Sequence, residues 1–213
     1  MLFNLGSANS IANHFLRALR DPVLQKDRTR FRKNVERLGE IMAYEISKKL
    51  DYEPALVQTP LGKTSSHFLK QKPVLITVLR AGLPYFHGFQ NYFEDSDCGF
   101  IGAYRKEEDE ISVQLDYLAT PGLQDRIVIL IDPMLATGKS FVRSVDALLK
   151  HGKPSHIHIA SLVSSPQGIQ FVADHLKVNY SIWTFAQDET LNQQSYIVPG
   201  LGDAGDLCFG EKL

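Results

Sequence analysis

The apolar run Ile127-Val-Ile-Leu-Ile131, followed at once by Asp132-Pro-Met-Leu-Ala-Thr-Gly-Lys-Ser140, constrains this chain more than any other feature. Five β-favouring residues without a polar interruption read as a strand buried on both faces. A sheet covered on both faces needs helices on both sides, and the segment through Val142, Val145, Leu148 and Leu149 to His151-Gly152 supplies one, with Gly152 as its stop. At the strand-to-helix junction, backbone N–H groups opened by Gly138 and joined by the hydroxyls of Thr137 and Ser140 form a site for a phosphate. Asp132, at the strand end, is placed to reach sugar hydroxyls beside it.

The rest of the chain fits the same plan. Residues 10–20 read as a short helix ended by Asp21-Pro22. From Asp27 to Leu50, Phe31, Val35, Leu38, Ile41, Met42 and Ile46 recur at three- and four-residue steps, which predicts an amphipathic helix. Val74 to Leu79 reads as a buried strand, Arg80-Ala-Gly-Leu-Pro84 as a turn, and Pro84 as the first position of a helix running toward Phe93. Cys98 to Tyr104 makes a further strand, and the alternation Ile111, Val113, Leu115, Tyr117 predicts its hairpin partner. Ile157 to Val163 and Val178 to Trp183 are strands, with a helix opened by Pro166 between them. Strands alternating with helices imply an α/β fold with a mostly parallel twisted sheet, and ligands in such sheets bind outside the carboxyl ends of the strands. No repeat divides residues 1–213, so a single domain is expected.

Composition narrows the function classes. Charged residues are 22% of the chain and the net charge is −1, which gives no electrostatic reason for a nucleic-acid or lipid partner. The two cysteines, Cys98 and Cys208, form no framework, and the start Met1-Leu-Phe-Asn-Leu-Gly has neither a charged region nor a long apolar run, so a cytoplasmic chain is expected. Gly138-Lys139-Ser140 resembles the end of a nucleotide P-loop, but Pro133 occupies the position of its first glycine. Gly200-Leu-Gly202-Asp-Ala-Gly205 matches the dinucleotide pattern by letter, with only eight residues after it, too few for the helix and second strand that such a site needs. His156 and His158 alternate on one strand face without a third metal ligand nearby, and the aromatic cluster Tyr85, Phe86, Phe89, Tyr92 and Phe93 reads as helix packing or a subunit contact.

Four segments together resemble one family. Ile131 to Ser140, Leu79-Arg-Ala-Gly82, Ala103-Tyr-Arg-Lys-Glu-Glu108 and Tyr196-Ile-Val-Pro-Gly-Leu-Gly-Asp-Ala-Gly-Asp206 are similar, in order and spacing, to segments of the uracil phosphoribosyltransferases, which are type I phosphoribosyltransferases. Thr29-Arg-Phe-Arg32 to Tyr44-Glu45 resembles the family's N-terminal helix. The resemblance implies a C-terminal base-binding hood, a β-hairpin arm, and transfer of the phosphoribosyl group of phosphoribosyl diphosphate (PRPP) to uracil N1. It implies that Arg80 and Arg105 bind the diphosphate of PRPP. Asp132, Pro133, Met134, Leu135, Ala136, Thr137, Gly138, Lys139 and Ser140 would hold the ribose phosphate. Ile197, Gly202, Asp203 and Ala204 would surround uracil, with Asp203 also near the donor; Asp132, Arg105 and Asp203 would carry the catalytic roles. Mg²⁺ bound mainly through PRPP, with no metal site of protein side chains alone, a homodimer or higher homo-oligomer, and GTP as a candidate effector belong to the same implication. A phosphoribosyltransferase for another base and a non-catalytic nucleotide or PRPP sensor are the competing expectations. The chain departs from the family at Lys139, at Asp109-Glu-Ile-Ser112 and at Leu83-Pro-Tyr-Phe-His87.

Overall fold

A computed structural model describes residues 1–106 and 112–211; for 103–106 and 112–115 the description extends to the backbone alone. The first half of the chain contains β1 (Leu2–Asn4), α1 (Ala12–Arg20), α2 (Arg28–Ser47), β2 (Tyr52–Thr59), β3 (Gly62–Leu69), β4 (Val74–Leu79), α3 (Gly82–Gln90), β5 (Cys98–Lys106) and β6 (Ser112–Ala119). The second half contains β7 (Ile127–Ile131), β8 (Met134–Leu135), α4 (Lys139–Leu148), β9 (His156–Ala160), β10 (Val163–Ser164) and α5 (Pro166–His175). It ends with β11 (Tyr180–Thr184), β12 (Ala186–Gln187), β13 (Thr190–Leu191), β14 (Ile197–Val198) and α6 (Ala204–Phe209).

Seven strands form the main sheet in the order β1-β11-β9-β7-β4-β5-β6. All its pairings are parallel except β5 with β6, the hairpin expected from the alternation around Val113. The continuous apolar runs of β4 and β7 follow from this placement, because helices cover both faces. On one face, Phe31, Val35, Leu38, Met42 and Ile46 of α2 pack with Tyr85, Phe86 and Phe89 of α3. On the other, Phe141, Val142, Val145 and Leu148 of α4 pack with Val172 of α5 against Val74, Ile76, Val128 and Leu130. The aromatic cluster is therefore core packing: Tyr85, Phe86, Phe89 and Phe93 are buried and Tyr92 is exposed.

Local sequence explains most boundaries. Asp27 caps α2 by accepting from the backbone N–H of Arg30, and Asp21 ends α1 in an extended conformation. Three features depart most from expectation. Helix α3 starts at Gly82, two residues before Pro84, so the turn after β4 is shorter than expected. Strand β9 stops at Ala160, and the expected continuation, β10, belongs to a second small parallel sheet of β8, β10 and β12 laid across the carboxyl ends of β7, β9 and β11. The hairpin of β2 and β3 has no counterpart in the periodicity: Leu56, Leu61 and Phe68 are exposed on it, Leu61 fully.

Candidate active site

Strands β4 and β7 are neighbours, yet the chain leaves them in opposite directions and toward opposite faces. After β4 it passes through α3 on the α2 face to β5; after β7 it passes through α4 on the other face to β9. Such a reversal opens a crevice at the carboxyl ends of the two strands, the place where α/β sheets bind ligands. Arg80 follows β4 and Asp132 follows β7, so the topology alone brings two residues expected to bind PRPP to one crevice. Thr77 ties the strand ends together by donating its hydroxyl to the Ile131 carbonyl at 3.2 Å.

The segment from Asp132 to Ser140 is braced throughout. The backbone N–H of Asp132 donates to the Ala160 carbonyl, and the Asp132 carboxylate accepts from the N–H of Met134 at 3.2 Å. The Pro133 carbonyl accepts from Leu162 and Val163. Gly138 turns the loop into α4 at φ +77°, and a Cβ there would stand 2.6 Å from the Gly168 carbonyl of α5, so only glycine fits both the dihedral and the contact. Lys139, the first residue of α4, is exposed.

Ser165 is a residue that the sequence reading missed. Its hydroxyl donates to the Ala136 carbonyl at 2.6 Å and accepts from the Gly168 N–H at 2.9 Å, which caps α5 and fastens that helix to the loop after β7. The signal was present in Ser165-Pro166, a capping residue directly before a proline at the first helical position.

The C-terminal segment closes over the same crevice. Asp203 caps α6 by accepting from the Asp206 N–H at 3.0 Å, and Ala204 is the buried first residue of that helix. Gly202 is exposed at φ +90°, while Ile197 in β14 is buried. One turn along α6, the Asp206 carboxylate accepts from Arg80 at 3.3 Å, and Arg80 also donates to the Gly210 carbonyl. Arg32 of α2 holds the Cys208 carbonyl at 2.8 Å. A Cβ built on Gly205 would lie 3.9 Å from that of Ala81, so α6 stands directly over the turn after β4.

Among the expected site residues, Arg80 and the segment from Asp132 to Ser140 follow neighbouring strands into one crevice, and the segment from Ile197 to Ala204 leads into α6, which contacts Arg80. Arg105 lies on the backbone of β5 opposite Val113, and its side chain lies outside the described residues, as do Glu107, Glu108 and the departing segment from Asp109 to Ile111. His156 and His158 are hydrogen-bonded inside the fold: His156 Nε2 lies 3.0 Å from Ser181 Oγ, and His158 Nδ1 accepts from Trp183 Nε1 at 3.1 Å. Burial, with His156 beside it, lowers His158 from its ordinary value of 6.5 to about 3. Burial likewise pushes Cys208 up to about 12, which leaves it an un-ionised packing residue.

Comparison with known proteins agrees with the geometry. The family model described as "Uracil phosphoribosyltransferase" matches residues 7–211. A uracil phosphoribosyltransferase of Porphyromonas gingivalis is 48% identical, covering 100% of this chain and 99% of that protein. One of Methanothermobacter thermautotrophicus is 39% identical, covering 86% and 85%. The solved structure of the AQ2163 protein from Aquifex aeolicus superposes with a TM-score of 0.88 at 29% identity, covering 99% of this chain and 98% of that one.

Proposed function

The chain belongs to the uracil phosphoribosyltransferase family and makes UMP and diphosphate from uracil and PRPP in pyrimidine salvage; from that premise we propose how its residues divide the work. The observation that carries the assignment is the meeting of three segments at one crevice: the turn after β4, the loop after β7, and α6 contacting the first through Arg80 and Asp206.

The backbone N–H groups and hydroxyls from Thr137 to Ser140 hold the 5-phosphate at the start of α4, and Asp132 orients the ribose hydroxyls. Arg80 and Arg105 bind the diphosphate. As its bond to ribose C1 breaks, negative charge grows on the departing oxygens, and guanidiniums aimed there stabilise the transition state more than the ground state. Arg80 is 44% exposed and its partner Asp206 31%, so their pair contributes about 1 kcal/mol or less. A diphosphate carries more charge than one carboxylate and displaces Asp206 at small cost. Ile197 and the backbone of Gly202 and Ala204 enclose uracil, with Asp203 beside both the base and the donor. Uracil N1 forms the new bond to C1 as the C1–O bond to diphosphate breaks, and the proton released from N1 goes to the departing diphosphate or to water.

The chain's oxygen donors suit a magnesium ion that arrives with PRPP. Asp132 and the hydroxyls of Thr137 and Ser140 adjoin the phosphate loop, and among the described residues no cluster of three or more His, Cys, Asp or Glu converges. A magnesium ion brought in with PRPP would supply charge neutralisation on the diphosphate, with Asp132 and the hydroxyls of Thr137 and Ser140 near enough to the phosphates to help hold it. Residues 1–213 act as one catalytic domain. Self-association is supported by the exposed Leu56, Leu61 and Phe68 of the β2–β3 hairpin, and light scattering tests it. GTP as an effector is tested by adding it to the assay. Among the described residues no helix is long and apolar enough to cross a membrane.

The test of the donor assignment is Arg105→Ala in an assay with radiolabelled uracil. A raised KM for PRPP at an unchanged KM for uracil supports it, and unchanged donor kinetics remove Arg105 from the site.

A further inference from the structure

Arg20 is the last residue of α1, and Asp188 follows β12; neither belongs to the phosphate loop or to the C-terminal motif. They meet in a two-point pair, Nη2 to Oδ1 at 2.8 Å and Nη1 to Oδ2 at 3.0 Å. The Asp188 side chain is only 7% exposed, and its backbone N–H is fixed to the Ser164 carbonyl of the small sheet at 2.8 Å. Both residues then turn to one target. Asp188 Oδ2 accepts from the Gly200 N–H at 2.8 Å, and Arg20 Nη1 reaches the Gly200 carbonyl at 3.4 Å.

Gly200 makes the turn between Ile197 and Gly202. Its φ is +57°, and the position of a Cβ there is already taken by the Ile197 carbonyl, so the bend is tight and admits no side chain. Holding Gly200 by its N–H and its carbonyl fixes where Ile197 and Gly202 stand relative to each other. Gly202 is exposed, so packing does little to fix it. A wall that is already in place when the base arrives costs no ordering on binding, whereas a loose one spends part of the binding energy on its own order.

We infer that Arg20 and Asp188 are positioning residues for the base: they preorganise the turn at Gly200 and so set the affinity for uracil without touching either substrate. This rests on the assignment of Ile197, Gly202, Asp203 and Ala204 to uracil. The pair links α1 to the turn at Gly200, and charge together with fork geometry makes it rigid.

The test is steady-state kinetics of the full chain with each substrate varied in turn, on the wild type, Asp188→Asn, Arg20→Lys and Asp203→Asn. Asp188→Asn keeps an oxygen for Gly200 but removes the charge and one acceptor that fix Arg20. The expected result is a KM for uracil raised about tenfold, with the KM for PRPP within about twofold and kcat at saturating uracil within about threefold. Arg20→Lys, which keeps the charge and loses the fork, gives a smaller rise in the same constant and carries the test alone where Asp188→Asn does not accumulate folded. An unchanged uracil KM in the folded variants overturns the inference, and so does a parallel rise in both KM values, the mark of a general structural role. Loss of turnover in Asp203→Asn together with normal uracil kinetics in the other two variants defeats the pair while leaving the uracil site intact. A wild type that makes no UMP fails at the earlier step.

Discussion

Replacing Ser165 by alanine removes two bonds with one atom. The hydroxyl caps α5 through the Gly168 N–H and holds the Ala136 carbonyl of the phosphate loop, with Ser165 fully buried and Ala136 nearly so. Losing the cap costs about 1 kcal/mol, and leaving a buried carbonyl without this donor costs about 1–3 kcal/mol, so the variant is expected to be less stable by roughly 2–4 kcal/mol. Urea unfolding followed by far-UV circular dichroism measures the loss as a lower midpoint at an unchanged slope. Ser165→Gly separates the two contributions, because glycine at a cap costs only about a few tenths of a kcal/mol relative to serine. Its expected loss is therefore that of the Ala136 bond alone. Both variants are expected to raise the KM for PRPP more than that for uracil, because the freed carbonyl lies in the loop proposed to hold the 5-phosphate. A Ser165→Ala midpoint equal to the wild type, with unchanged donor kinetics, would refute the account of this contact.

Three further outcomes are expected. Gly138→Ala adds about 1–2 kcal/mol of left-handed strain and about 1–3 kcal/mol of overpacking against the Gly168 carbonyl, seen as a lower unfolding midpoint and a raised donor KM. His158 has a folded value near 3 against an ordinary 6.5, so the native state binds fewer protons; its contribution is full above about pH 6.5 and is lost as pH falls toward 3, at up to about 1.4 kcal/mol per pH unit. Stability measured between pH 6.5 and 5 is expected to fall less steeply in His158→Gln, and Trp183, the one tryptophan and the donor to His158, reports unfolding by fluorescence. Lys139→Gly is expected to raise the donor KM a few-fold at low salt, with the difference shrinking at high salt; an equal effect at both removes Lys139 from the phosphate field.

Elements that bury one continuous face were legible in the sequence. The stripe from Phe31 to Ile46 and the run from Ile127 to Ile131 became α2 and β7, because burial imposes the period that the residues show. The β2–β3 hairpin was not legible, since its side chains are largely exposed and Pro54 interrupts the strand pattern. Nor was the sheet of β8, β10 and β12, whose two-residue strands are too short to carry any period. The site divides in the same way. Loops defined by local geometry, such as Asp132 to Ser140, could be read directly. Ser165 left a local trace as a helix cap, but its bond to Ala136 depends on where α5 packs. Asp188 left no trace, because Arg20 and Gly200 reach it only after the chain has folded. Arg80 was legible as the residue that follows β4, while its contact with Asp206 depends on α6 docking over the turn after β4.

Asp203 caps α6, so Asp203→Ala removes the charge and the helix cap together. Asp203→Asn removes the charge and keeps a good capping oxygen. The decisive measurement is conversion of radiolabelled uracil to UMP by Asp203→Asn at saturating PRPP and Mg²⁺, with its unfolding midpoint taken alongside. The expected result is turnover reduced by about a hundredfold or more at a midpoint equal to the wild type. Normal turnover in a folded Asp203→Asn would contradict the assignment of the C-terminal segment to the base.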